Sequence, residues 1–446
     1  VVALIFNNNL EKKIIEYYPV DLGLFSEKPF ELLVIKEDKI IEIEQTKIIN
    51  KEVRLRDYLV GNDFDFNLFK RLNNNSKLFD FVQHNTEGKP YIHEGLKIVG
   101  EKAICREYNL SKNEWIKLDR QKQIEYFEKF KANHTSKFKN EEFLYKFLKP
   151  RNISPFQTIE VDTFLRDNIS NFERGRNPDI YLGKKIIFNR TGNKLKSIFS
   201  KEKIYFDFDL HTFKLIDDKL YYLINAILNS NLSNYYIDLF LRKRLLGSYP
   251  KIGNEDVLNL PIPKNINKDL TYQISAISKE ITEGMSEYSQ KQIELNELIY
   301  ELYELSYWEK QRVNDYFLYK ERIGRKKNKL TNYKNTLEEV LSFYLKNSIQ
   351  IEETQAEFNL IVIKISLNNH SETPKVDKAK KFILNEIFEN NPNDNFLASQ
   401  EKIFGQDCVF IIKEDINTNW SETKAFEDGQ DILKHIIPNE NGERVH

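Results

Sequence analysis

A chain of 446 residues with 67 Lys and Arg against 68 Asp and Glu carries a formal charge of -1, so any affinity for a polyanion must come from uneven placement of charge. Its 40% hydrophobic and 30% charged residues suit about two to four packed domains, and neither a membrane-length apolar run nor a signal-like N-terminus interrupts them. Cys105 and Cys408 are the only cysteines and have no His neighbours at ligand spacing, which excludes a disulfide framework and a zinc site and points to a reducing cytoplasm.

The first 45 residues read as strand (Val1 to Phe6), helix (Leu10 to Tyr18) and strands (Leu22 to Phe25, Phe30 to Ile35), with an Asn-rich stop at 7–9 and Pro29 ahead of the last strand. This pattern predicts the closing edge of a doubly wound α/β sheet, one βα unit plus a hairpin. Beginning without methionine in what reads as mid-strand, the chain is expected to be part of a longer protein.

Residues 46–182 follow as the approach to a central region. Lys129 to Lys139 is Lys-rich and polar, either a phosphate-contacting loop or a solvated insert. Phe143 to Ile153 predicts a helix that Pro150 ends. Phe172 to Pro178 then places Arg174 and Arg176 on a Gly/Pro-bounded loop, where each guanidinium could reach phosphate, pair with guanine, or bridge to a nearby acid.

The central stretch, 183–264, is the most informative. Ile186, Ile187 and Phe188 predict a buried strand feeding a polar turn through Thr191 that gathers Arg190, Lys194 and Lys196 at one end of a sheet. Apolar alternation through Ile204, Phe206, Phe208 and Leu210, resuming at Phe213 and Leu215, predicts two half-buried strands around a turn. Leu220, Leu223, Ile224, Ile227 and Leu228 then fall at helical spacing, and a polar break at 229–231 separates them from a second helix carrying Tyr235, Tyr236, Leu239 and Phe240. Between Gly183 and Lys251 stand thirteen Lys and Arg against six Asp and Glu. Backbone phosphate is the natural complement of such a segment, and an ordinary α/β domain with a solvated Lys face is the plain alternative.

After Pro263 the spacing of Leu295, Leu298, Ile299, Leu302 and Leu305 predicts a helix with one packed face, followed by a basic linker, Lys320 to Lys334. From about 335 a separate small α/β domain is expected, with strands at 358–365 and 408–412, helices near 336–346, 376–388 and 424–437, and a core built on Trp420, Ala425, Phe426, Ile432 and Leu433.

The run NRTGNK (189–194), the helix pair AILNSNLSNYY (226–236) and the closing YPKIGNEDVLNLPIP (249–263), taken in order, resemble the TaqI-like target-recognition domain. Such domains follow the catalytic domain in adenine-specific DNA methyltransferases and fused restriction-modification enzymes. Weaker likenesses surround it. Residues 1–45 are similar to the tail of a methyltransferase catalytic domain, Leu78 to Ala103 to the opening strands of a target-recognition domain, where a Gly-containing turn follows a strand, Phe143 to Ile153 to the element preceding the central strands, Asn296 to Phe317 to the helical segment closing many fused chains, and Asn419 to Ile436 to a tail of methyltransferase-like defence proteins.

The resemblance implies a mixed α/β chain: the end of a doubly wound methyltransferase sheet (1–45), an α+β recognition domain (46–264), a helical spacer (265–334) and a small C-terminal α/β domain (335–446). It implies double-stranded DNA as partner, with Arg174, Arg176, Arg190, Thr191, Lys194 and Lys196 near bases or phosphates and Arg242, Lys243, Arg244 and Lys251 on the backbone. S-adenosylmethionine belongs to the parent protein rather than to this chain, because the Gly-containing cofactor turn is missing and the Asn-Pro pairs at 177–178 and 391–392 lack the second proline and the aromatic that hold a flipped adenine. His84, His93, His134 and His211 form no ligand or triad spacing, and no Asp with Glu-x-Lys stands out as a nuclease site, so no catalytic or metal residue is assigned. The implied activity is sequence recognition for an adenine-N6 methyltransferase of a restriction-modification or phage-defence system. The other reading is a non-catalytic specificity subunit serving a separately encoded methyltransferase or nuclease.

Overall fold

The computed structural model describes residues 14–17, 20–21, 34–35, 41–50, 63–167, 169–241, 251–264, 267–319, 329–345, 349–355, 360–367, 400–405 and 408–436. Two compact units form, one from 63–306 and the other from 1–62 with 307–446. Among the described residues no helix is long and apolar enough to cross a membrane.

Two small sheets organise the first unit. One contains β1 (Ile92–Glu94), β5 (Lys185–Asn189), β6 (Ser197–Ser200) and β8 (Leu210–Phe213) in the order β6-β5-β8-β1, antiparallel throughout. The other contains β2 (Thr135–Ser136), β3 (Tyr145–Leu148), β4 (Phe164–Leu165) and β7 (Tyr205–Phe206) in the order β7-β3-β4-β2, with β7 parallel to β3. The predicted buried strand is thus β5, but its hairpin partner β6 went unread, because Ser197–Ser200 is too short and polar at its ends for a periodic signal. Two strands do form, but the break in the alternation at His211 and Thr212 is not the turn: both residues lie inside β8, the turn falls at 207–209, the strands join different sheets, and all their residues are buried rather than half-buried. Elements cover both faces, so alternation in the sequence no longer marks an exposed side.

Three helices lie between β1 and β2: α1 (Asp63–Asn73) precedes them, and α2 (Glu101–Glu107), α3 (Lys112–Lys117) and α4 (Arg120–His134) fill the connection. Helix α4 absorbs the first half of the Lys-rich stretch at 129–139, with Phe130 fully buried beneath it, so that stretch is neither a phosphate loop nor a solvated insert over 129–134. The helix predicted over 143–153 is a second correction. Tyr145–Leu148 is strand β3, and Pro150 opens a one-turn 3-10 helix instead of ending an α-helix. A short apolar run fits either period, and here pairing with β4 and β7 decides.

Helices α5 (Tyr221–Asn229) and α6 (Asn231–Tyr236) break at Ser230 as the sequence predicted, and α5 packs on β5 and β6. Ser230 caps the second helix, accepting from Ser233 N at 3.1 Å. After α7 (Asn254–Leu258), Pro261–Ile262 pairs with Ser76–Lys77, and Leu260 and Ile262 are buried. The NLPIP run is therefore the strand that ties the end of the domain back to its start. Helices α8 (Lys268–Thr282) and α9 (Tyr288–Leu302) then cover α5 and α6, with Leu295, Ile299 and Leu302 facing inward.

The second unit begins with strands that pair antiparallel, Ile14–Tyr17 with Ile41–Glu44 and Val20–Asp21 with Val34–Ile35. Residues 14–17 are a strand where a helix was expected, consistent with adjacent β-branched and aromatic side chains. The antiparallel pairing of Val20–Asp21 with Val34–Ile35 is of the hairpin kind expected there, with the first strand earlier than the predicted 22–25; the strand expected at 1–6 lies outside the described residues. Past α10 (Tyr307–Tyr319) and α11 (Lys329–Leu345), strands β9 (Gln350–Gln355), β10 (Leu360–Ser366), β11 (Gln400–Phe404) and β12 (Cys408–Glu414) form an antiparallel sheet in the order β9-β10-β12-β11. Helix α12 (Glu422–Ile436) packs with α11, and Trp420, Ala425 and Ile432 are fully buried in that core. The helix expected at 376–388 and the linker residues 320–328 lie outside the described residues.

One buried ion pair holds this sheet to α12. Lys413 on β12 and Asp428 are both solvent-excluded and in contact, and Tyr333 Oη donates to the same carboxylate at 2.6 Å. Burial would raise the Asp428 carboxyl, but the ammonium groups of Lys413, Lys424 and Lys402 outweigh it and hold the pKa down to about 2; burial pushes Lys413 down to about 8. Asp428→Ala removes the partner that keeps the buried Lys413 charged, so the ammonium must lose its proton or drag water into the interior. Urea unfolding of the full chain is expected to show a loss of about 3–5 kcal/mol in this unit.

Candidate nucleic-acid interface

The site grows from the register of the antiparallel sheet. Phe188 on β5 faces His211 on β8, and His211 faces Glu94 on β1. Side chains in such a row project from one face, and Arg190, two residues beyond Phe188, continues that face at the strand end. A bridge between Lys97 and Arg174 brings the 172–176 loop alongside, with Arg174 N donating to Lys97 O at 3.1 Å. Phe172 is buried, and the Glu173 carboxylate accepts from Ala103 N at 2.9 Å, which anchors the loop on α2.

Three guanidiniums then converge on one carboxylate. Glu94 is in contact with Arg176, lies 3.6 Å from Arg174 and 4.0 Å from Arg190. The bridge to an acid, one of the alternatives for Arg174 and Arg176, is what the structure shows. Their exposures still differ: the Arg174 side chain is 52% accessible, against 32% for Arg176, 36% for Arg190 and 28% for Glu94.

His211 sits behind this cluster. Burial, with the charges of Arg190 and Arg176 added, lowers its pKa to about 4, so the ring is neutral at ordinary pH. Asn254, the first residue of α7, lies beside it. Its side chain interacts with the imidazole and offsets part of that shift.

The 190–196 turn owes its shape to Asn189. Its side-chain nitrogen donates to Thr191 O at 2.8 Å and Lys194 O at 3.0 Å, and its oxygen accepts from Lys196 N at 2.6 Å. Gly192 adopts a φ of +132°, which a Cβ would strain. Arg190, Lys194 and Lys196 are thereby gathered at one sheet end, as predicted. Lys194 and Lys196 are exposed, while Thr191 is half-buried and bridges to the exposed Lys251. Arg242, Lys243 and Arg244 lie outside the described residues.

Helix α6 and the end of α5 hold the other edge of this hairpin. Asn234 Oδ1 accepts from Leu195 N at 2.7 Å, Asn229 Oδ1 accepts from Ser197 N at 2.9 Å, and Asn229 Nδ2 donates back to Ser197 O at 2.9 Å. These amides pair with β6 much as a further strand would. The sequence pointed to the ILNSNLSN run without giving this reason for it. Glu94, His211 and Asn254 had no periodic or spacing signal that would mark them as members of one cluster.

Part of the local Lys and Arg excess is spent inside the fold. Lys185 is buried, its Nζ donating to Gly183 O at 3.1 Å and Glu202 O at 2.6 Å, and burial lowers its pKa to about 8. Lys184 pairs with Asp218 at 2.6 Å, and Lys203 pairs with Asp167. The cationic surface is accordingly narrower than the residue count implies. A separate hollow of about 510 Å³ is lined by Arg106, Glu107, Asn133, His134, Arg166 and Asn171; Glu107 is already bound there by His134 and Asn133, and Arg166 by Glu142.

Residues 145–262 match the TaqI-like C-terminal specificity domain, and the chain carries a domain of that family. No curated protein matches the chain. Among solved structures, the type IIG restriction endonuclease BpuSI is similar with a TM-score of 0.32 and 11% identity, over 59% of this chain and 36% of that one. The type IIL restriction-modification enzyme MmeI, solved in complex with DNA, is similar with a TM-score of 0.32 and 10% identity, over 51% and 34%. The S subunit of a type I restriction-modification system from M. genitalium gives a TM-score of 0.24 and 10% identity, over 81% and 91%. The chain thus spans about a third of the length of each of the two restriction-modification enzymes.

Two measurements check this construction. As pH falls from 6.5 towards 4, the unfolded chain takes up the His211 proton first, so stability is expected to drop across that window by about 3 kcal/mol. Denaturation curves of His211→Gln should lack that share of the slope. At Gly95, next to Glu94, an added Cβ would lie 2.2 Å from the backbone oxygen of Phe206. Gly95→Ala is therefore expected to cost roughly 1–3 kcal/mol in urea unfolding, because backbone must move to admit it.

Proposed function

We propose that the 63–306 unit recognises double-stranded DNA, presenting the β5–β6 turn and the 172–176 loop to the duplex. The observation that carries this reading is the coincidence of the TaqI-like specificity match over 145–262 with the exposed cations at one end of its sheet. Lys194, Lys196 and Lys251 suit phosphate, since an ammonium on a flexible stem binds as a point charge. Thr191 and the guanidiniums suit base edges, where each good contact is worth about 1–3 kcal/mol of discrimination. Arg242, Lys243 and Arg244 are assigned to the backbone on their sequence alone.

In this reading the parent protein is an adenine-N6 DNA methyltransferase of a restriction-modification or phage-defence system, acting in the cytoplasm with S-adenosylmethionine. The residues present do not fit that cofactor or a flipped adenine. Asn177 is a structural cap, its Oδ1 accepting from Asp179 N at 3.0 Å while Pro178 opens a 3-10 turn. Methylation therefore requires a catalytic domain supplied from elsewhere, in the same polypeptide or as a separate subunit. The second reading, a specificity subunit without its own chemistry, assigns the DNA contacts identically.

Fluorescence anisotropy of the full chain with a randomised duplex pool tests the recognition reading. Binding is expected to weaken as salt rises, with a log–log slope of about -0.9 per phosphate neutralised. Lys194→Ala and Lys196→Ala should each flatten that slope by about one and weaken all sequences alike. Absence of salt-dependent binding at low ionic strength would sink the reading.

A further inference from the structure

Glu94 is a poor component of a phosphate clamp. It lies on the β1 end of the sheet with Arg174, Arg176 and Arg190 around it, at 4.0 Å or less in each case. A carboxylate has about four lone-pair sites, so one such group can occupy several guanidinium N–H donors at once. A phosphate approaching those donors meets the like charge of Glu94 at short range. A base edge is neutral and meets no such repulsion, and its carbonyl and ring nitrogens accept from guanidinium as well as a phosphate oxygen does.

Three guanidiniums around one carboxylate leave the cluster cationic, with Arg176 alone of the three hydrogen-bonded to Glu94, and the carboxylate lowers its charge by one. His211, the next side chain in the same row, adds no positive charge because it is neutral.

We propose that Glu94 is a specificity-determining residue, whose carboxylate withholds the arginine cluster from DNA phosphates and leaves it open to the acceptors of a base edge. This rests on the recognition reading above and adds to it a means of suppressing sequence-independent binding. Non-specific affinity comes almost wholly from neutralised phosphates, whereas the useful quantity is the ratio of specific to non-specific binding. Each guanidinium charge engaged by the backbone raises the non-specific affinity and erodes that ratio, and Glu94 cancels one of the three.

The test compares the full chain with Glu94→Gln and Glu94→Asp, measuring affinity for the best duplex selected from the random pool and for an unrelated duplex across a salt series. Glu94→Gln is expected to bind the unrelated duplex about 10-fold more tightly at low salt, with a salt slope steeper by about one to two, and to lose specificity by a similar factor. Glu94→Asp should restore the wild-type slope. An unchanged slope, or weaker binding of both duplexes alike, would mean that the carboxylate only supports the fold, and the proposal fails. Should Glu94→Gln not fold, Arg174→Gln tests the same claim. With Arg174 withheld from phosphate, the slope on the unrelated duplex should not change, and flattening by about one overturns the idea. Absence of binding by the wild-type chain overturns the recognition reading instead, so the two failures are distinct.

Discussion

Amide pairing between the 225–234 helices and strand β6 is the constraint on which the recognition unit depends. Edge strands expose unpaired backbone groups, and here Asn229 and Asn234 supply donors and acceptors where another strand would stand. Ser197 completes the arrangement, its Oγ donating to Asn225 Oδ1 at 2.7 Å. With that edge fixed, the hairpin turn has a defined position, and Asn189 then sets its shape from within. A chain of carboxamides thus runs from the helix pair to the turn that displays Lys194 and Lys196.

The arginine cluster follows from strand register in the same direct way. Glu94, His211 and Phe188 share one row because β1, β8 and β5 pair without a bulge there, and a slip of one residue would send Glu94 to the opposite face. Gly95 permits the close approach of β1 to the Phe206 backbone, and the Lys97–Arg174 bridge brings two further guanidiniums within reach. Charge at this end of the sheet is therefore organised by the backbone. It is not a diffuse excess of lysine.

The second unit is built on different terms. Its sheet is tied to α12 by a solvent-excluded ion pair between Lys413 and Asp428, with Lys402 3.1 Å from the same carboxylate. Asp315 of α10 accepts from Thr423 N at 2.8 Å and Thr423 Oγ1 at 2.6 Å, at the start of α12, and Trp308 stacks on Phe426 at 3.9 Å between ring centres. Burying so much charge is tolerated only because each group has a partner.

The sequence by itself determined the elements whose periodicity is long and unshared: the α5–α6 break at Ser230, the inward face of α9, the buried strand β5 and the Trp420 core. It also carried the family likeness, through runs such as ILNSNLSN and NLPIP whose side chains and backbone make specific bonds. Tertiary structure decided what depends on pairing between distant segments. Residues 14–17 and 145–148 are strands because partners far along the chain meet them. Lys185 is buried although it reads as surface, and Arg174, Arg176 and Arg190 converge on Glu94 from three separate elements. Local propensity cannot encode such meetings, because strand register is set by the whole sheet at once.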